Sequence, residues 1–156
     1  YLYNGPASVR YPRGTGPNSN VDKDLKPLKI GEANIINEES SEIVILNFGT
    51  LLNEANQISK ELRATLVDMR FVKPLDEKLL RKLFKKAKVF ISIEDGSIMG
   101  GAGSAVQEFA SKENLNVRSI LFGIPDKFIE HASREEMLVE AGLDVENIKS
   151  KLSKLL

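Results

Sequence analysis

Hydrophobic and polar positions along this chain switch between two periods. The stretch EIVILNFG (42–49) is an unbroken β-branched and apolar run, the pattern of a strand buried on both faces. TLLNEANQISKELR (50–63) follows, with Leu51, Leu52, Ala55, Ile58 and Leu62 at helical spacing and Thr50 placed as its N-cap. ATLVDMRFV (64–72) predicts a second buried strand, stopped by Pro74, and Asp76 caps a helix running through Ala87. KVFISIED (88–95) predicts a third strand, GGAGSAVQEFASKEN (100–114) a glycine-led helix, and VRSILFG (117–123) a fourth strand. Two amphipathic helices close the chain. SREEMLVEAG carries Ser133 and Glu136 at capping-box spacing, and DVENIKSKLSKLL is the last. Ahead of these, KIGEANIIN (29–37) alternates like an edge strand or a hairpin arm. TGPNSNVDKDLKP (15–27) is a polar loop, and ASVRYPR (7–13) a short extended run.

Strands alternating with helices over short connections predict an α/β fold: a three-layer α/β/α sandwich on a mainly parallel five-stranded sheet with one antiparallel edge strand. Ligands of such sheets lie beyond the carboxyl ends of the strands. Those ends are NFGT (47–50), RFVKP (70–74), EDGSIMGG (94–101) and FGIPD (122–126).

Composition narrows the chemistry. The 156 residues fit one domain with a sizeable core, and Lys+Arg and Asp+Glu both number 22, so no net field draws nucleic acid or an anionic membrane. With no cysteine, disulfides, thiolate metal sites and thiol nucleophiles are excluded, and a single histidine, His131, excludes a multi-histidine metal centre. No apolar run reaches membrane-spanning length, and YLYNGPAS has neither the basic segment nor the apolar core of a secretory signal. A cytoplasmic location is expected. The chain does not begin with Met, which points to a piece of a longer protein.

Each candidate motif has a plain structural explanation beside the functional one. EDGSIMGGAGSA places glycines before a helix N-terminus, where free N–H groups hold anions. Its spacing is not GxGxxG, however, and it follows the third strand. The expected role of Gly100, Gly101 and Gly103 is close approach of the helix to the sheet or a partner. Glu94 and Asp95 are adjacent acids at a strand end. They point to opposite faces, so one is expected to cap or bond a neighbouring loop rather than to share acid–base work. His131, in FIEHASREE, reads as a surface or capping residue. KLFKKAKV lacks the interleaved aromatics of a nucleic-acid platform.

The segment SVRYPRGTG presents two fixed cations beside a flexible turn. A guanidinium stays charged at any cellular pH and matches phosphate or carboxylate with a planar fork. In an extended run Arg10 and Arg13 face opposite sides. Arg13, next to Gly14 where loops gather, is the better anion ligand, and Arg10 pairs within the fold or with a neighbouring domain. There is no nucleophile–base pair, phosphate loop or metal set. The residues alone describe a domain that assists chemistry located elsewhere.

Taken in order, NGPASVRYPRGTG, IVILNFGTLLNEA, ATLVDMRFVKPLDEKLL, SIEDGSIMGGAGSAVQEF and FGIPDKFIEHASREEMLVEAGLD resemble the carboxy-terminal domain of the 1-deoxy-D-xylulose-5-phosphate synthase family, within the wider transketolase-like group. The likeness runs from about residue 4 to the end. It implies residues 1–27 as tail and linker from a preceding pyrimidine-binding domain, and residues 28–156 as the transketolase C-terminal-like domain. It also implies a thiamine-diphosphate- and magnesium-dependent enzyme that joins pyruvate to glyceraldehyde 3-phosphate with loss of carbon dioxide, supplying isoprenoid, thiamine and pyridoxal synthesis. Cofactor and metal are bound outside this chain, whose partners are the other domains of the same homodimeric enzyme. Neither nucleic acid nor membrane is implied as a partner. The chain alone is expected to be inactive. By the same resemblance Arg13 grips the aldehyde substrate's phosphate, with Arg10, Tyr11 and His131 as supporting candidates. The alternatives are the equivalent domain of a transketolase or of a 2-oxoacid dehydrogenase β subunit, and a non-catalytic interaction module of the same fold.

Overall fold

A computed structural model describes residues 3–9, 11 and 26–156. Five strands are formed: β1 (Asn34–Asn37), β2 (Ser40–Phe48), β3 (Ala64–Asp68), β4 (Val89–Ser97) and β5 (Arg118–Ile124). Five helices join and follow them: α1 (Leu52–Leu62), α2 (Glu77–Phe84), α3 (Ala102–Lys112), α4 (Arg134–Ala141) and α5 (Val145–Leu155). The sheet order is β1-β3-β2-β4-β5. β2, β3, β4 and β5 pair in parallel, and β1 is antiparallel to β3. The expected α/β/α sandwich with one antiparallel edge is present.

The alternation of β2 builds both layers. Val44, Leu46 and Phe48 face α2 and α3, where they meet Leu80, Phe84, Val106 and Phe109. Ile45 faces the other way, toward Leu51 just before α1, Ala55 and Ile58 of α1, and Ile148 and Leu152 of α5. Phe84 and Phe90 stack with ring centroids 5.0 Å apart. Covered on both faces, residues 26–156 carry their own hydrophobic core.

Two helix starts follow the local chemistry. Asp76 accepts from Leu79 N at 2.9 Å, and Ser133 with Glu136 completes a reciprocal capping box. A third does not. α1 begins one residue past Leu51 with no side-chain cap, and Thr50 is not its N-cap. Its hydroxyl is engaged across the sheet by Asp95 instead. β3 is also shorter than the run 64–72, because Arg70 takes a left-handed conformation (φ 56°) that ends the strand. The helix after Asp76 stops at Phe84 rather than Ala87. Residues 7–9 form no strand, and Arg10 and Arg13 lie outside the described residues.

Candidate functional site

The strand order reverses between β2 and β4. From β2 the chain passes through α1 to β3 on one face, and from β4 through α3 to β5 on the other. The crevice above the carboxyl ends of β2 and β4 is therefore the place where sheets of this type hold ligands. Here the protein's own side chains bond to one another across it. Thr50 Oγ1 donates to Asp95 Oδ2 at 2.7 Å, and Arg134 Nη2 donates to Thr50 Oγ1 at 3.1 Å. Gly49 lies against them with φ 93°, and a Cβ there would approach Asp95 Oδ1 to 3.0 Å. Asp95 and Arg134 stand 45 and 84 residues from Thr50 along the chain. No local spacing announces such a cluster, and the sequence reading did not find it.

Glu94 points to the opposite face, as strand alternation requires. It is buried, and its two carboxylate oxygens accept from Ala102 N and Gly103 N at 2.9 Å each. The acid thus satisfies the first N–H groups of α3 and complements the positive end of its dipole. The expectation that one of the two acids bonds a neighbouring loop is met by both. Gly101 and Gly103 are required for the same packing. A Cβ on Gly101 would overlap Ser97 O and come within 2.7 Å of Glu94 Oε2, and one on Gly103 would overlap Ser92 Oγ. Gly100 has another reason, since a Cβ there would meet nothing within 4 Å, but its φ is 68°. It serves the turn rather than close approach.

Beside this helix start runs an open cleft whose walls include Ile30, Val72, Pro74, Glu94, Gly101 and Ala105. His131 is exposed on the segment before α4, on the same rim, and Tyr11 is exposed on the amino-terminal tail. Neither makes a hydrogen bond or ion pair with the other among the described residues. Among those residues no group of three or more His, Asp or Glu could hold a metal ion, and the acids best placed to do so are occupied by backbone N–H groups and a hydroxyl. A diphosphate–magnesium site does not fit the residues described. No helix among them is long and apolar enough to cross a membrane.

A switch point bridged by Thr50, Asp95 and Arg134, a carboxylate-capped glycine helix and a single antiparallel edge strand mark this α/β domain. The model of the transketolase C-terminal domain family matches residues 31–148, and the chain belongs to that family. It is 47% identical over 152 residues to 1-deoxy-D-xylulose-5-phosphate synthase of Pseudomonas fluorescens, covering 97% of this chain and 24% of that protein. The synthase of Stutzerimonas stutzeri is 50% identical over 157 residues, again 24% of its length. The chain thus spans about a quarter of the length of these curated relatives. Among solved structures, a split-gene transketolase described as an inactive beta4 tetramer superposes with a TM-score of 0.73 at 26% identity, covering 81% of this chain and 43% of that one. The transketolase of Campylobacter jejuni, at 15% identity and a TM-score of 0.59 over 80% of this chain and 18% of that one, shares the fold.

Proposed function

We propose that this chain is the carboxy-terminal domain of a 1-deoxy-D-xylulose-5-phosphate synthase, serving condensation of pyruvate with glyceraldehyde 3-phosphate. The observation that carries the reading is identity of 47% to 50% to named synthases across nearly all of the chain. Thiamine diphosphate and magnesium belong to the other domains of the cytoplasmic homodimeric enzyme, and the 156-residue chain alone does not turn over substrate. Residues 1–27 form the linker from the preceding domain, and residues 28–156 form this one.

Within the enzyme, Arg13 holds the acceptor aldehyde by its phosphate, remote from the reacting carbon, so that binding energy orients the aldehyde. The reading draws support from residue chemistry: a permanent, planar cation in RYPRG, ahead of a domain whose adjacent strand-end acids, Glu94 and Asp95, are already engaged. Arg10, Tyr11 and His131 support that grip. Steady-state kinetics of the full synthase carrying Arg13→Ala test it. A charge-assisted contact of roughly 1.5–3 kcal/mol corresponds to a loss of about 10- to 100-fold in apparent affinity for the aldehyde phosphate. The KM for pyruvate should stay within about twofold. Equal losses for both substrates would refute the assignment.

A further inference from the structure

The rim formed by the carboxyl ends of the strands also exposes large apolar side chains. Val72 follows β3, Met99 follows β4 and Phe128 follows β5, and they are 52%, 68% and 100% exposed. Ile30 is likewise exposed and shares the cleft wall with Val72. These are four large apolar side chains on four separate segments, all on the carboxyl-end side of the sheet. At the opposite rim Leu156, 52% exposed, shares a groove with Glu61 and Leu62 at the end of α1, but the described segments leading into the strands lack such groups. Among the described residues no exposed large hydrophobic lies on segments 38–41, 85–88 or 113–117.

The polypeptide also enters the domain at the apolar rim. β1 is antiparallel to β3, and its first residue, Asn34, pairs with Asp68 at the carboxyl end of β3. Just before it, Ala33 N donates to Asp76 Oδ2 at 3.0 Å, and Gly31 packs on Pro74. Anything covalently ahead of residue 26 is therefore tethered beside Ile30 and Val72. The curated relatives carry about three quarters of their length outside the matched region. An apolar rim at the tether point is where such a mass would bury surface.

We infer that the rim bearing Ile30, Val72, Met99 and Phe128 is the face on which the preceding domains of the same polypeptide dock, an inference that rests on the synthase reading above. The occupant is apolar and covalently attached, so docking is intramolecular and favoured by a high effective concentration. The amino-terminal rim stays in solvent.

Hydrogen–deuterium exchange of the intact synthase against the 156-residue chain tests it. Segments 70–73, 97–101 and 126–131 should exchange at least about tenfold more slowly in the intact protein, while 38–42, 85–88 and 113–117 exchange alike in both. The double variant Met99→Asp, Phe128→Asp should leave the circular dichroism of the 156-residue chain unchanged and abolish the extra protection in the intact protein. Protection within twofold at the apolar rim, or concentrated at the opposite one, overturns the inference. Turnover of pyruvate with glyceraldehyde 3-phosphate is read separately. Its absence would refute the synthase reading while the protection map still decides the docking face.

Discussion

The two rims of the sheet dispose of their charges in different ways. At the amino-terminal rim and the helix surfaces leading to it, acids meet basic side chains in solvent. Lys88 Nζ lies 2.8 Å from Glu42, Lys149 Nζ lies 3.0 Å from Glu61, and Arg81 grips Glu113 at 2.7 Å while its guanidinium stacks over Phe109. The carboxyl rim has exposed pairs of its own, Lys29–Glu32, Arg70–Asp68 and Lys127–Glu140, but there Glu94 and Asp76 also accept from backbone N–H groups and Asp95 from a hydroxyl. The first arrangement is soft: screened, exposed pairs contribute little each. The second is stiff, because every such acid fixes the start of a helix or the path of a loop. A rim that must present a defined apolar surface needs its loops held, and a rim that faces only water does not.

Substitutions at the stiff rim should therefore cost most. Gly101→Ala forces a methyl group into the Ser97 carbonyl and the Glu94 carboxylate, and a loss of about 3 kcal/mol in chemical denaturation is expected. Gly100→Ala, one residue earlier with open space around it, should lose only about 1 kcal/mol for its left-handed conformation. If the two variants unfolded at the same denaturant concentration, close approach would not be the reason for Gly101. Glu94→Ala leaves two buried N–H groups without their acceptor and should lose about 2–3 kcal/mol, with Glu94→Gln recovering part of it.

Smaller effects sharpen the contrast. Ser133→Ala removes one side of the capping box at α4 and should lower stability by about 1 kcal/mol. At the soft rim, Lys88→Ala should change it by less than about 0.5 kcal/mol, an effect that vanishes in high salt. The smallest signal is a pH dependence. The hydrogen bonds from Arg81 hold the Glu113 carboxyl below its ordinary value of 4.5. A carboxyl depressed in the folded state stabilises above its unfolded pKa, and that contribution is lost as pH falls through the lower, folded one. Glu113→Gln should therefore lower Tm slightly at neutral pH, where that contribution is present, and converge with the parent chain in acid, so that the fall in Tm below about pH 4.5 is flatter.

Legibility in the sequence tracked how local each determinant is. The strands β2 and β4 were readable because both faces of each are buried, leaving continuous apolar runs. The caps at Asp76 and Ser133 were readable because donor and acceptor lie three residues apart. Thr50 has the same local appearance as a cap, but its partner lies 45 residues away on β4, and that long-range bond prevails. The end of β3 was overrun because Arg70, a residue that seldom adopts positive φ, makes the turn. The glycines before α3 were identified as packing residues, and the sheet side chains beneath them bear this out at Gly101 and Gly103. The site itself was legible only in part. His131 and Tyr11 are exposed where described, whereas Arg10 and Arg13 fall outside the described residues.

Cysteine footprinting tests the contrast between the rims most directly, since this chain has no cysteine of its own. Met99→Cys on the apolar rim and Lys86→Cys on the charged rim would each be labelled with a thiol reagent in the 156-residue chain and in the intact protein. Modification would be followed on the corresponding peptide by mass spectrometry. The account predicts that position 99 reacts at least about tenfold more slowly in the intact protein and that position 86 reacts at the same rate in both. Equal rates at position 99, or slowing at position 86 instead, would contradict it.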